Sequence, residues 1–293
     1  MGQYPLHLLF GLRRGGRCAL GRFGRGVRLH RALSRPVRPG RTVMIRIQGH
    51  RGLPAAFPEN TMLSLREAVR EGADGIEMDV RRTADGMYVL MHDETVDRTT
   101  NGSGAVDRLR FEQEVRHLDA GAWMGDAFAG REDAKVPALI DALDEFGDAG
   151  VELILHIKCP AGDALPALEL VKARGLIRRT TFFGKLEAIN AVKAAERDAR
   201  TQNDGAPGPE TYEAVLQNAV LHGHDAVSVS PAVTAEMAAR IKSFGKAVHC
   251  SFLTDDYEER TKRLAELGVD AVLGNDVSRM KRAVRQAGRD ERR

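Results

Sequence analysis

The stretch Ile76–Asp93, which reads IEMDVRRTADGMYVLMHD, decides how the fold is interpreted. Glu77 and Asp79 lie two residues apart on a predicted strand, so their carboxylates share one face, while apolar residues occupy the other. Two buried carboxylates are costly without a cation, and a hard divalent metal would compensate them. A pair of solvent-facing acids on a sheet edge is the alternative.

The second half of this stretch predicts a hairpin that returns to the carboxylates. Asp85-Gly86 has the chemistry of a two-residue type I′ turn. If Ala84 pairs with Met87, His92 comes to lie opposite Asp79, about 5 Å away on the same face. The turn is therefore expected to bring a histidine to the acidic pair.

Outward from this stretch, short β-branched or apolar runs alternate with segments of helical period, which favours a parallel sheet with crossover helices. The predicted strands are 44–49, 74–80, 151–157, 180–183, 199–203, 225–230, 246–252 and 269–274. The predicted helices are 61–71, 137–148, 163–174, 186–198, 210–222, 234–244, 257–267 and one from 277. Eight of each predict an α/β fold of the (β/α)8 TIM barrel type.

Two segments break this pattern. Thr95–Val136 is too long for a plain βα connection and is expected to be an insertion that forms a lid or binds substrate. Residues 1–43 contain ten Arg and no acidic residue. We expect a disordered leader there, with organelle targeting or contact with an anionic surface as alternatives. The predicted domains are the leader, 1–43, and a barrel over 44–293 that contains the insertion, 95–136.

Composition narrows the class of protein. The chain has 293 residues, of which 43% are hydrophobic and 29% charged, as in ordinary globular proteins. Without the leader's arginines, 34 basic and 41 acidic residues remain, a net charge of −7 that gives no support to nucleic-acid binding. Three scattered cysteines do not suit a disulfide framework. No apolar run approaches a membrane span. We expect a soluble cytoplasmic protein with a small-molecule substrate; the oligomeric state stays open.

The first predicted strand ends in Gln48-Gly49-His50-Arg51-Gly52. This places an acid/base side chain and a planar anion-binding group at the carboxyl end of a barrel strand, where barrel active sites are built. Glu59 and Asn60 follow at the start of the next helix. For Asn60 alone, capping of that helix is the expected role.

With these motifs in order, the chain resembles the glycerophosphodiester phosphodiesterase family. The similarity covers most of residues 46–104 and continues more weakly to the end of the chain. It is carried by His50-Arg51-Gly52, Pro58-Glu59-Asn60-Thr61, Gly72–Val80, Thr83-Ala84-Asp85-Gly86, His92-Asp93 and Thr99-Thr100-Asn101-Gly102-Ser103-Gly104. The resemblance implies a TIM barrel with an insertion in the second βα loop, in agreement with the pattern above.

The resemblance also implies a metal-dependent phosphodiesterase that uses one divalent ion, Mg or Ca. Its implied roles are acid and base for His50 and His92, phosphate binding for Arg51 and Lys158, and metal binding or orientation for Glu59, Glu77 and Asp79. In this family a neighbouring hydroxyl of the substrate is thought to attack first, and water opens the resulting cyclic phosphate.

One metal position departs from the family pattern. The family has Glu-x-Lys at the end of the next barrel strand, whereas this chain reads His156-Ile157-Lys158. Glu152 cannot replace that glutamate, because four strand residues span about 13 Å. If His156 is a ligand, its neutral nitrogen favours Mn or Zn over Mg or Ca. The alternative is that His156 fills space or hydrogen-bonds to Glu77.

Three functions stay open from the sequence. The leading one is hydrolysis of small deacylated phospholipid esters to glycerol 3-phosphate and an alcohol. Lysophospholipase D or sphingomyelinase D-like action on lipids is an enzymatic alternative, since the same site serves both. A catalytically silent barrel is the third. The chain retains five residues that catalysis needs more than a packed barrel does, which argues against this alternative: His50, Arg51, Glu77, Asp79 and His92.

Overall fold

A computed structural model describes residues 45–290, without the side chains of 287–290. The predicted leader, 1–43, and its Cys18 lie outside the described residues. Within the described part of the chain, none of the helices has both the length and the apolar character needed to cross a membrane.

Eight parallel strands close into a barrel, which confirms the predicted fold. With β3, which lies outside the ring, the sheet among the described residues has nine strands. They are β1 Arg46–Gly49, β2 Gly75–Arg82, β3 Tyr88–Leu90, β4 Glu152–Ile157, β5 Thr180–Gly184, β6 Arg200–Asn203, β7 Ala226–Val229, β8 Ala247–Ser251 and β9 Ala271–Gly274. The sheet runs β1-β9-β8-β7-β6-β5-β4-β2-β3, and pairing of β1 with β2 closes it. Strand β3 is the exception, because it pairs antiparallel with β2 outside the ring.

Among residues 45–290, eight α-helices cover the barrel in the predicted order. They are α1 Met62–Arg70, α2 Leu139–Phe146, α3 Ala161–Ala173, α4 Leu186–Ala195, α5 Tyr212–His222, α6 Ala235–Ser243, α7 Tyr257–Glu266 and α8 Val277–Asp290. Ile76, Met78 and Val80 are fully buried and belong to the main apolar core. The alternate residues of β2, Glu77 and Asp79, are fully buried as well, so both faces of this strand are enclosed.

The register between neighbouring strands brings side chains from different parts of the sequence together. Asp79 of β2 pairs with His156 of β4, and His156 in turn pairs with Phe183 of β5. Residues paired in this way point to the same face of a sheet. The barrel therefore places His156 directly beside the acidic pair.

The predicted hairpin register is wrong by one residue. Arg82 pairs with Tyr88 and Val80 with Leu90, so Asp79 aligns with Met91, whose N–H donates to the Asp79 carbonyl at 2.9 Å. The physical reason is the turn: Thr83 and Met87 close a three-residue loop, and Gly86 takes a φ of +88°. Three-residue hairpin loops commonly end in a residue of this left-handed conformation.

The insertion that follows the hairpin has an apolar cluster of its own. It contains short 3₁₀ turns at Val106–Arg108, Ala122–Met124 and Glu132–Ala134, and a π-helical turn at Phe111–Val115. Its buried members are Val89, Met91, Val96, Val106, Phe111, Val115, Ala120, Val136 and Ala138. Because Val89 and Met91 are shared with the hairpin, the cluster fixes the insertion to β3.

Candidate active site

The polar side chains gather at the carboxyl ends of the barrel strands. His50 follows β1, Lys158 follows β4, Asp204 follows β6 and Asn275 follows β9. His92 comes two residues after β3. This is the end at which barrel enzymes build their sites.

Arg51 has a strained backbone that is held in place from several sides. Its φ is +54°, its N–H donates to Glu77 Oε2 at 2.8 Å, and its carbonyl accepts from Ser64 Oγ at 3.2 Å. Gly52 has no alternative here, because a Cβ would lie 2.5 Å from Ser64 Oγ. Strain of this kind concentrates at functional sites and is maintained by the surrounding contacts.

The Arg51 guanidinium lies between two carboxylates. Nη1 donates to Glu59 Oε1 at 2.9 Å, and Nε lies 3.1 Å from Asp79 Oδ2. Arg98, from the insertion, donates to the same Glu59 carboxylate at 2.7 and 3.2 Å. Burial alone would raise the pKa of Glu59, but contact with Arg98 and Arg51 holds it below its usual range. Glu59 thus joins the insertion to Arg51, and its role as a direct metal ligand stays a prediction.

Asn60 does not cap the helix, contrary to the sequence-based expectation. Thr61 is the N-cap residue of α1, and its side chain accepts from the Ser64 N–H. Asn60, with a φ of +56°, accepts from the Asp79 N–H at 3.0 Å and donates to Asp79 Oδ2 at 2.9 Å. The side chain of Asn60 therefore orients Asp79 instead.

Three side chains could hold a metal ion. Glu77, Asp79 and His156 offer ligand atoms that lie within 4.8 Å of one another. Among residues 45–290, Glu77 Oε1 and Asp79 Oδ1 are buried without a hydrogen-bond partner. Lys158 Nζ lies 3.5 Å from Asp79 Oδ1. Unpaired buried carboxylate oxygens are costly, so the residues fit a divalent ion.

His156 lies among three carboxylates. Its Nδ1 is 3.3 Å from Glu77 Oε1 and 3.2 Å from Asp79 Oδ1, while its Nε2 is 3.2 Å from Asp204 Oδ2. Burial opposes the charged ring, but contact with Asp204, Asp79 and Glu77 outweighs it and raises the pKa of His156 to about 10. Burial likewise opposes ionisation of Asp79, yet His156, Arg51 and Lys158 hold its pKa well below the usual range.

The two motif histidines have similar partners. His50 Nδ1 lies 2.7 Å from Asn275 Oδ1, and His92 Nδ1 lies 2.6 Å from Asp93 Oδ1. An oxygen acceptor at Nδ1 places the hydrogen there, which leaves Nε2 of each ring to exchange a proton with a ligand. Arg98 donates to Asp93 Oδ2 at 2.5 Å, and this contact, ahead of that with His92, lowers the pKa of Asp93 to about 2 despite partial burial.

A cleft of about 1010 Å³ borders this cluster. Lys158 and Asp204 lie on its wall, which is formed by the insertion and by the loops after β4 and β5. Ten of its eighteen lining residues are charged: Arg81, Arg82, Glu94, Asp107, Arg108, Lys158, Asp163, Lys185, Glu187 and Asp204. The other lining residues, Val106 and Ile157 among them, are apolar or small, so the cleft presents both charged and apolar surface to a ligand.

Sequence reasoning did not identify Asp204 or Arg98, and it noted Asn275, in Gly274-Asn275-Asp276 near the last strand, only as a departure from the family pattern. Asp204 and Asn275 each follow a barrel strand directly, and that position is a usable signal. Arg98 lies in the insertion, and only the folded structure places it between Asp93 and Glu59.

Comparison with known proteins gives one consistent result. The model of the glycerophosphoryl diester phosphodiesterase family matches residues 50–182. A glycerophosphodiester phosphodiesterase of Caldanaerobacter subterraneus is 32% identical over 247 residues, which cover 82% of this chain and 97% of that protein. The human glycerophosphodiester phosphodiesterase 1 is 40% identical over 122 residues, 41% of this chain and 36% of that protein.

A solved structure agrees with these sequence matches. The crystal structure of a glycerophosphodiester phosphodiesterase from Agrobacterium tumefaciens superposes with a TM-score of 0.71 at 27% identity. The superposition covers 81% of this chain and 99% of the other.

Proposed function

Because this chain belongs to the glycerophosphoryl diester phosphodiesterase family and is a phosphoric diester hydrolase, we propose that it releases glycerol 3-phosphate from glycerophosphodiesters with one divalent metal ion. The observation that carries the metal dependence is the cluster of Glu77, Asp79 and His156, whose ligand atoms lie within 4.8 Å of one another and in which Glu77 Oε1 and Asp79 Oδ1 have only ion-pair contacts with His156 and Lys158 within the described residues. Glu77, Asp79 and His156 would hold the ion. When bound, it would neutralise charge on the phosphate oxygens.

The two histidines supply the proton transfers. Cleavage requires a base for the attacking hydroxyl and an acid for the leaving alkoxide oxygen. His50 and His92 suit this pair of roles, since Nδ1 of each is bound to an oxygen and Nε2 is left for the substrate. Neither ring is fully buried, so a ligand can approach both from solvent.

Arg51 and Lys158 are the candidates for binding the phosphate. Arg51 is held by Glu59 and Asp79, and Lys158 lies on the wall of the cleft. The phosphate would exchange carboxylate contacts of these cations for contacts with its own oxygens. A planar guanidinium can hold two phosphate oxygens at once.

Charged side chains on the wall of the cleft, Lys158 and Asp204 among them, can contact the polar headgroup of a deacylated ester. We therefore propose small glycerophosphodiesters as the substrate class.

One assay tests the proposal. Glycerol 3-phosphate release is measured from glycerophosphocholine, glycerophosphoethanolamine and glycerophosphoglycerol, and choline release from lysophosphatidylcholine, with chelator and after addition of Mg, Ca, Mn or Zn. We expect release from the deacylated esters, loss with chelator and recovery with metal. Preference for lysophosphatidylcholine would favour the lipid alternative. Inactivity on all substrates with every metal would favour the silent barrel.

A further inference from the structure

The two ring nitrogens of His156 have different carboxylate neighbours. Nδ1 lies 3.2 and 3.3 Å from oxygens of Asp79 and Glu77. Nε2 lies 3.2 Å from Asp204 Oδ2 on the opposite side of the ring, an ion-pair distance at which the two atoms do not yet form a hydrogen bond. A histidine that ligates a metal through one nitrogen typically donates its other N–H to a carboxylate or carbonyl oxygen, which fixes the tautomer and the ring orientation.

We propose that Asp204 is the positioning residue of the metal centre: with the ion bound, it would accept a hydrogen bond from Nε2 of His156 and thereby present the Nδ1 lone pair between Glu77 and Asp79. The inference rests on the proposed metal dependence of the site and adds a residue to it. The ligand set would be two carboxylates and one imidazole, a combination that suits Mn, Fe, Co or Zn better than Mg or Ca.

Three further observations support this role for Asp204. Strand register places His156 opposite Asp79, so the ring cannot leave the acidic pair without disturbing β4. Phe183 packs against the ring with centroids 4.1 Å apart, which restricts its rotation. The Asp204 side chain is partly exposed, at 35%, while that of His156 is only 8% exposed. Asp204 can therefore hold the ring from the cleft side while remaining hydrated itself.

The test measures metal affinity directly. Mn and Mg dissociation constants of the full chain are obtained by equilibrium dialysis, and Co binding is followed by its visible d–d absorption. Asp204→Asn and Asp204→Ala are expected to weaken Mn and Co binding about 10- to 100-fold, the usual effect of losing such a partner. Asp163→Asn is the matched control, because Asp163 lines the same cleft but forms its ion pair with Arg82.

A double-variant cycle separates positioning from general charge. In a His156→Glu background there is no imidazole to orient, so Asp204→Asn should change the Mn dissociation constant by less than about twofold. An equal loss in both backgrounds, an equal loss in the Asp163→Asn control, or unchanged Mn affinity in a folded Asp204→Ala would overturn the inference. Folding is checked by thermal melting of each variant.

The outcome is distinguishable from failure of the proposed function. Wild type that binds Mn with the expected dependence on Asp204 but cleaves no phosphodiester would refute the function and support the inference. Wild type that binds none of these metals would refute the inference, since His156 would then act as an internal cation for the carboxylates. An active protein whose metal affinity does not change on substitution of Asp204 would refute the inference and leave the proposed function intact.

Discussion

Strand β4 carries a buried charged residue at each end, and the two ends differ in how well their polar atoms are paired. Glu152, at the amino end, binds Arg46 Nη1 at 2.6 Å, Arg200 Nη2 at 3.1 Å and Thr181 Oγ1 at 2.5 Å. His156, at the carboxyl end, lies beside carboxylates of which two oxygens have no hydrogen-bond partner within residues 45–290.

The difference indicates which end of the barrel can bind a ligand. A buried charge whose partners are complete contributes to stability and specificity of packing, whereas a buried charge with unpaired atoms has capacity for a ligand. The position of each cluster agrees with this, because the amino end of a barrel is associated with stability and the carboxyl end with catalysis. Each prediction below changes one end and measures activity, stability or both.

The largest expected effect concerns the carboxyl end. His50→Ala and His92→Ala should each lower the turnover number by at least roughly 100-fold, because a general acid or base is lost. Thermal stability should change little, since both rings are partly exposed. Steady-state kinetics and thermal melts check this, and substantial turnover in the double variant would remove both histidines from the mechanism.

At the amino end, Glu152→Ala should lower the free energy of unfolding by about 2 kcal/mol, because Arg46 and Arg200 lose their shared carboxylate. The figure is moderate because both arginines are about one third exposed. Turnover of the folded fraction should remain that of wild type. Urea titration gives the stability, and a large fall in turnover without destabilisation would show that the two ends are coupled.

Arg51→Lys should raise KM and lower kcat, for a combined loss of about tenfold, because a point charge cannot replace a planar fork on phosphate. The ammonium would also lose one of the contacts that Arg51 makes with Glu59 and Asp79. Kinetics against glycerophosphocholine measure the effect. Unchanged constants would exclude Arg51 from the phosphate site.

The last expected effect is a pH dependence of stability at the amino end. His249 contacts Gln202 at 2.5 Å and Arg46 at 3.2 Å; burial, and then the charge of Arg46, lower its pKa to about 4 from 6.5. Between these values the unfolded chain binds the proton and the folded chain does not. The free energy of unfolding is therefore not reduced by this group above pH 6.5. It falls as the pH is lowered toward 4, by at most about 1.4 kcal/mol per pH unit.

Urea titrations across that pH range, on wild type and His249→Gln, measure the contribution as the difference between the two slopes. His224→Gln is the matched control, because burial also lowers the pKa of His224 to about 4, but this ring contacts Thr201 and Asn190 instead. Removal of either histidine should flatten the dependence of the free energy of unfolding on pH. Only His249→Gln should have a different effect on stability in the Glu152→Ala background than in wild type. Identical slopes in wild type and His249→Gln would refute the assignment.

The fold and much of the site could be predicted because they depend on local patterns. Alternation of strands and helices gave the barrel, and the i, i+2 spacing of Glu77 and Asp79 placed both carboxylates on one face, as found. The position of His156 followed from its place in the family pattern. These features are set within a few residues of sequence.

What could not be predicted depends on backbone geometry or on distant contacts. The hairpin register was wrong because Gly86 serves a three-residue loop. Asn60 was assigned to a cap because the Asp79 backbone that it binds lies 19 residues away. Asp204 carries no motif, and only pairing of β4 with β5 and of β5 with β6 brings it to His156.

The proposed function places a metal ion at the carboxyl end of β4, with His156 as a ligand. The most direct test is the ratio of phosphodiesterase activity with Mg to that with Mn, measured at saturating metal in wild type and in His156→Glu. Replacing imidazole by a carboxylate should raise this ratio by about tenfold, because hard Mg prefers oxygen ligands and Mn accepts nitrogen. The same metal ranking in both proteins would contradict the claim and leave Glu77 and Asp79 without His156 as the binding group.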